Sequence, residues 1–330
     1  MPAPTLRNSR PPPRDQHRDL AASDPNKGDD RRSRTGSGRH CGGVHAALIT
    51  ASTLEISTRD GATLGATLYV ATEVVRRVVV INAAMGVPQR LYAQYAKYLA
   101  GHGLAALTWD YRGIGRSAPK RLRGFAADLD AWAEHDLAAV IDWVDRRWPD
   151  ARLLMVGQSL GGQILSVPAN RDRIGAAMLV SCPSGHWGHW PAPGRYGMWS
   201  LATLGLPVGA AVFGYFPAKR LRLGEDLPAG VARQWARWIR MPRYIAGEPR
   251  LRERMASLRI PMRAYSFTDD GYAPLAAVES LIAEYANAAL EHRRVDPSAR
   301  GMPQVGHHGF FRERIGGVLW PETAEWLSQV

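Results

Sequence analysis

The octapeptide Val156–Gln163, VGQSLGGQ, sets a serine between two glycines as Gly157-Gln158-Ser159-Leu160-Gly161. A serine hydroxyl is a weak nucleophile at neutral pH. It becomes a covalent catalyst when a base takes its proton and an acid orients that base. Taken alone the pattern says little. With Gly at 33 of 330 residues, a chance match somewhere in the chain has odds of roughly one in five. Its bland reading is a glycine turn that opens a helix. The flanks separate the two. RLLMV, before Gly157, reads as a buried strand, and LGGQILSVPA, after Ser159, begins a helix. A strand-turn-helix with serine at the turn thrusts the hydroxyl outward. The turn is crowded, which favours small neighbours such as Gly157, Gly161 and Gly162. The helix start aims free N–H groups at an oxyanion, and the Leu160 N–H, next after the serine, is the expected donor.

A base and an acid must follow. AYSFTDDGYAP places Asp269 and Asp270 at the carboxyl end of a predicted strand, where catalytic groups of open α/β sheets collect. QVGHHGFF places His307 and His308 in a Gly-bounded loop before the last helix. Each has a bland alternative, a helix cap before Pro274 for the aspartates and a polar loop for the histidines. Together they give the order Ser, Asp, His, each at a strand or helix boundary.

The elements that must position these residues are legible between residues 52 and 182. STLEIST and ATLGATLYVA flank RDGA, a hairpin signal. RVVVINAA is a β-branched run of the kind that forms a buried strand. RLYAQYAKYLAGHG has apolar residues at helical spacing, LAALTWD is a strand, and DLDAWAEHDLAAVIDWVDRRWP is an amphipathic helix ended by Pro149. With RLLMVG and GAAMLVS as further strands, the alternation predicts a mostly parallel sheet with helices on both faces. Residues 183–256, rich in Trp, Pro and Gly, break it. Alternation resumes at PMRAYSFTDD, with a helix in PLAAVESLIAEYANA and a last one near RERIGGVLWPETAEWLSQ. The expected organisation is a disordered tail over residues 1–45, a first core segment over 46–182, an inserted helical lid over 183–256 and a second core segment over 257–330. The tail expectation rests on its few apolar residues.

GQSLGG after a strand, DYRGIGRS after an earlier one, DGYAP and the late GHHGFF resemble the α/β-hydrolase superfamily. Within it, GVPQRLY, DYRGIGRS, FTDDGYAP and GHHGFF are similar to a group of bacterial hydrolases related to the serine-aminopeptidase-like esterases. The resemblance covers about Ser52 to Val330. It implies the α/β-hydrolase fold, hydrolase activity and a triad of Ser159, Asp270 and His307. Asp270 is favoured over Asp269 because the family acid lies four residues before a proline, here Pro274. His307 is favoured over His308 because the family histidine directly follows glycine, here Gly306. Many relatives carry His-Gly in the oxyanion loop after the third strand, whereas this chain has INAAMG. That departure leaves Ala84 as first choice for the second N–H donor and Met85 as second.

Other chemistry finds less support. Net charge is +12, but only Lys27, Lys97, Lys120 and Lys219 among the 42 basic residues are lysines, and no basic stripe alternates with aromatics, so nucleic acid is not an expected partner. Cys41 and Cys182 suggest neither a disulfide framework nor a metal site, and no signal-peptide pattern opens the chain; a cytoplasmic protein without cofactor or metal is expected. DYRGIGRS lacks the glycine and lysine spacing of a phosphate cradle and reads as a pocket-shaping turn. His186 and His189 have no carboxylate or cysteine beside them. Tyr196–Pro217 has no charged residue and is long enough to span a bilayer. Its glycines, Pro207 and place between two strands favour a lid, with Trp187, Trp190, Trp199, Trp235 and Trp238 near an apolar acyl pocket and lipid contact as a lesser expectation. The expected activity is hydrolysis of a carboxylic ester with an apolar acyl group. Transfer of the acyl group to another acceptor, or binding without catalysis, are the alternatives.

Overall fold

The computed structural model describes residues 48–330. The expected tail over residues 1–45, with Cys41, lies outside the described residues. Eight strands form one sheet: β1 (Thr50–Ser57), β2 (Thr63–Val70), β3 (Arg77–Asn82), β4 (Ala105–Trp109), β5 (Arg152–Gln158), β6 (Ile174–Val180), β9 (Pro261–Phe267) and β10 (Ala289–Val295). A separate two-residue pair, β7 (Tyr215–Phe216) and β8 (Leu227–Pro228), lies between β6 and β9 in sequence. The order across the large sheet is β1-β2-β4-β3-β5-β6-β9-β10. β2 runs antiparallel to both β1 and β4, and every other pairing is parallel. Val78–Asn82 of β3 and Leu153–Gln158 of β5 are buried throughout. Helices on both faces cover such central strands, which explains their unbroken apolar runs.

The expected hairpin joins β1 to β2, with Gly61 at φ +87° in its turn. α1 (Ala93–Gly101) follows β3, as its spacing predicted. The long amphipathic helix is α2 (Leu129–Ala131) continuing into α3 (Ala138–Arg147) through a wider π turn at Trp132–Leu137. Asp128 caps its start, accepting from the Ala131 N–H at 2.8 Å. The helix expected after Ser159 is only α4 (Leu160–Gln163). Two glycines and the nearby Pro168 give little reason for it to continue.

Residues 183–256 depart from the sheet after β6 and return to its neighbour β9. This insertion holds α5 (Gly194–Ser200), a π turn at Leu201–Gly205, α6 (Leu206–Phe213), the β7–β8 pair and α7 (Ala229–Arg240), and α8 (Pro249–Ser257) closes it. The small strand pair is an addition to the helical insertion expected. α9 (Leu275–Ile282) and α10 (Glu313–Gln329) complete the second core segment. α10 packs on α1, where Tyr95 Oη donates to Thr323 Oγ1 at 2.9 Å.

Candidate active site

Ser159 stands between β5 and α4 at φ +50°, ψ −115°. Side chains rarely adopt that backbone, and it persists only where the surroundings enforce it. Here they do. The Ser159 N–H donates to Val180 O at 3.1 Å, tying the turn to the end of β6. A Cβ on Gly157 would lie 2.5 Å from the Gly162 N, and one on Gly161 would collide with the backbone oxygen of Asn82. Glycine is therefore required on both sides of the serine. Ser159 is partly exposed, and its hydroxyl has no hydrogen-bond partner among the described residues.

Asp270 and His307 are brought together. His307 Nδ1 lies 2.9 Å from Asp270 Oδ2 and 3.2 Å from Oδ1. Asp270 is buried just after β9, and its Oδ1 also accepts from the N–H groups of Tyr272 at 2.9 Å and Ala273 at 3.1 Å. Burial works to raise its pKa, but the hydrogen bond and charge of His307 and the Tyr272 N–H outweigh it and hold the carboxyl below its ordinary value. The neighbouring aspartate has a different task. Asp269 accepts from the backbone N–H groups of Val305 at 2.8 Å and Gly306 at 3.0 Å, fixing the loop that enters His307. Behind that loop Phe310 and Phe311 are buried, with Phe311 edge-on to Tyr92 at 4.7 Å between centroids.

His308 is directed elsewhere. Its Nδ1 meets Gln158 Nε2 at 2.9 Å, and burial, then the charge of His307, lower its pKa to about 4. It is neutral at pH 7, and its Nδ1 accepts the Gln158 N–H. Gln158 Nε2 also donates to His307 O at 2.6 Å, and its Oε1 accepts from Tyr92 Oη at 2.6 Å. Burial keeps the Tyr92 hydroxyl protonated, and that hydroxyl accepts in turn from the Ala84 N–H at 2.8 Å. One buried chain of hydrogen bonds thus runs from the loop after β3, past the residue before Ser159, to the histidine loop.

That chain corrects one expectation. The Ala84 N–H is engaged by Tyr92 and has no capacity left for an oxyanion. The N–H groups of Met85 and Leu160 have no acceptor among the described residues. Met85, the second choice, takes Ala84's place as candidate donor. Gln158 and Tyr92 were not singled out from the sequence. Gln158 occupies the variable position of the serine motif, and nothing in the sequence marks Tyr92 as its partner.

Asp110 of DYRGIGRS is buried and accepts from the Gln89 N–H at 2.7 Å, Gln89 Nε2 at 2.8 Å and the Arg116 N–H at 2.9 Å, so it holds its own turn. Cys182 is buried, and burial pushes its thiol up to about 12, which keeps it from competing as a nucleophile. His186 and His189 meet edge to face with ring centroids 5.4 Å apart, and neither belongs to a group of side chains that could hold a metal among the described residues. Three of the five tryptophans have separate surroundings. Trp238 is buried and donates to Glu248 Oε1 at 2.5 Å, Trp190 donates to Gly271 O at 3.1 Å, and Trp199 faces solvent.

Comparison with known proteins agrees with the fold. Residues 73–208 match the family described as serine aminopeptidase, S33. An esterase from Pyrococcus furiosus superposes with a TM-score of 0.54 at 17% identity, over 85% of this chain and 89% of that one. A hypothetical protein from Pseudomonas aeruginosa reaches 0.58 at 16% identity, over 85% and 94%. An alpha/beta hydrolase from Penicillium sp. sh18 reaches 0.57 at 15% identity, over 85% and 98%. No curated protein matches the chain. By sheet order, serine turn and these likenesses the chain has the α/β-hydrolase fold, and residues 73–208 are similar to the serine aminopeptidase, S33 family.

Proposed function

We propose that the protein cleaves a carboxylic ester through an acyl-enzyme on Ser159, with His307 as base and Asp270 as orienting acid. The observation that carries this reading is the buried Asp270 carboxylate held 2.9 Å from His307 Nδ1, on a loop bonded to the residue beside a strained Ser159. His307 Nε2 takes the Ser159 proton as the hydroxyl attacks the acyl carbon. Asp270 fixes the tautomer with hydrogen on Nδ1 and stabilises the imidazolium. The N–H groups of Leu160 and Met85 receive the oxyanion. The imidazolium then gives its proton to the departing alkoxide. Water, deprotonated by His307, attacks the acyl-serine, and serine leaves with the proton. The unbonded Ser159 hydroxyl fits a resting site whose catalytic hydrogen bond tightens around substrate. An esterase from Pyrococcus furiosus and a brefeldin A esterase described as a homologue of human hormone sensitive lipase share the fold, which supports an ester as the substrate class.

Hydrolysis of p-nitrophenyl esters tests the reading. Ser159→Ala and His307→Ala should each lower turnover about 10⁴- to 10⁶-fold. Turnover by Ser159→Ala within tenfold of the wild type would assign the chemistry to another residue.

A further inference from the structure

We propose that the helical segment Gly194–Phe213 docks the protein onto an anionic lipid bilayer, lying in the interface rather than crossing it. The segment is 20 residues long and apolar enough to cross a membrane by length and composition, yet only 17% of its most apolar window is buried. Its inward residues, Ala202, Leu206 and Ala210, are fully buried, and α6 packs on α7. That packing ties the segment to the fold and argues against a transmembrane placement.

The outward face is apolar as well, where a helix on a water-soluble surface is ordinarily polar. Trp199 is 46% exposed, Leu204 61%, Val208 53% and Val212 61%, with Tyr196 at 61% one turn earlier. The backbone aligns these residues. Leu204, Val208 and Val212 follow at four-residue spacing, while Trp199 lies five residues before Leu204. The π turn at Leu201–Gly205 absorbs the extra residue. The result is one convex ridge about 20 Å long. A contiguous apolar surface of this kind marks a contact site.

Charge identifies the occupant. At the C-terminal end of the ridge, Lys120, Arg121, Arg123, Lys219, Arg220 and Arg222 are all exposed. Most of them line a crevice beside Phe213, and the Arg220 guanidinium lies 5.7 Å from that ring. Lys219 pairs with Glu225. The other five form no ion pair among the described residues, and Leu221 and Leu223 are half-exposed among them. A protein partner would need a groove shaped to a ridge that carries Gly197 and Gly205 between its larger side chains. A bilayer interface needs no fixed shape. It takes Trp and Tyr at headgroup level, aliphatic side chains just below, and basic side chains against anionic headgroups.

Sedimentation of the full chain with phosphatidylcholine vesicles, with and without phosphatidylglycerol, tests this. The wild type should pellet with the mixed vesicles and weakly with phosphatidylcholine alone. Leu204→Glu/Val208→Glu should weaken binding at least about tenfold, and Arg121→Glu/Arg123→Glu about tenfold. All four positions are exposed, so both variants should melt like the wild type. Ser159→Ala should bind like the wild type, which keeps this result separate from that of the proposed chemistry. Residues 1–45 remain in every variant. Equal pelleting by the wild type and Leu204→Glu/Val208→Glu would assign binding to another surface and overturn the proposal. So would absence of binding, or a dimer in light scattering that Leu204→Glu dissolves without any vesicle binding, which would make a second copy the occupant.

Discussion

Gln158 carries more of the site than its place in the motif suggests. Its buried side chain meets Tyr92 Oη, the His307 carbonyl and His308 Nδ1, the last two in a half-buried setting. Gln158→Ala would leave those partners unsatisfied, at a cost of about 1–3 kcal/mol in stability. It would also free the histidine loop, so kcat should fall while KM stays near the wild-type value. Denaturant titration with steady-state kinetics on one ester checks both, and a rise in KM alone would mark Gln158 as a substrate contact instead. His308 makes a second prediction. Its pKa is about 4 in the fold against an ordinary 6.5, so between those values the unfolded chain binds more protons. The stability that neutral His308 contributes is full above about pH 6.5 and is lost as pH falls toward 4. Unfolding midpoints measured across that window should decline with acid, and His308→Gln should flatten the decline. The tight turn at Ser159 and the meeting of an aspartate with a histidine were legible from residue types and order. The Ala84 engagement was not, because it depends on a tyrosine hydroxyl that only the fold brings to that N–H.

Elements were legible where burial is complete on both faces. β3, β5 and β6 announce themselves as apolar runs because helices cover both sides. β10 was missed. ALEHRRV is an edge strand, largely polar, and its only sheet neighbour is β9, so no apolar pattern marks it. The turn carrying Ser159 was readable because its geometry excludes side chains, which forces glycine into the sequence. Gly161→Ala tests that dependence. The added methyl would meet the Asn82 backbone oxygen, which cannot swing aside as a side chain could. The expected loss is about 3 kcal/mol, read by thermal unfolding. A variant as stable as the wild type would mean that the β3–α4 approach is looser than described.

At the scale of the molecule, the sheet gathers residues far apart in the chain. Ser159 follows β5, Asp270 follows β9 and His307 follows β10, and these parallel strands all end on one edge of the sheet. The insertion over 183–256 leaves from β6 and returns at β9, the strands between Ser159 and Asp270. That order, and the break in alternation, were visible in sequence. The outward direction of Trp199 and the ridge it begins were not, since an apolar helix reads the same whether it packs inward or faces outward. Labelling with a fluorophosphonate, located by peptide mass spectrometry, tests the proposed chemistry most directly. Wild-type protein should carry one label on Ser159, Ser159→Ala none, and His307→Ala far less at equal time. A folded wild type that stays unlabelled, or a label on any other residue, would contradict an activated Ser159.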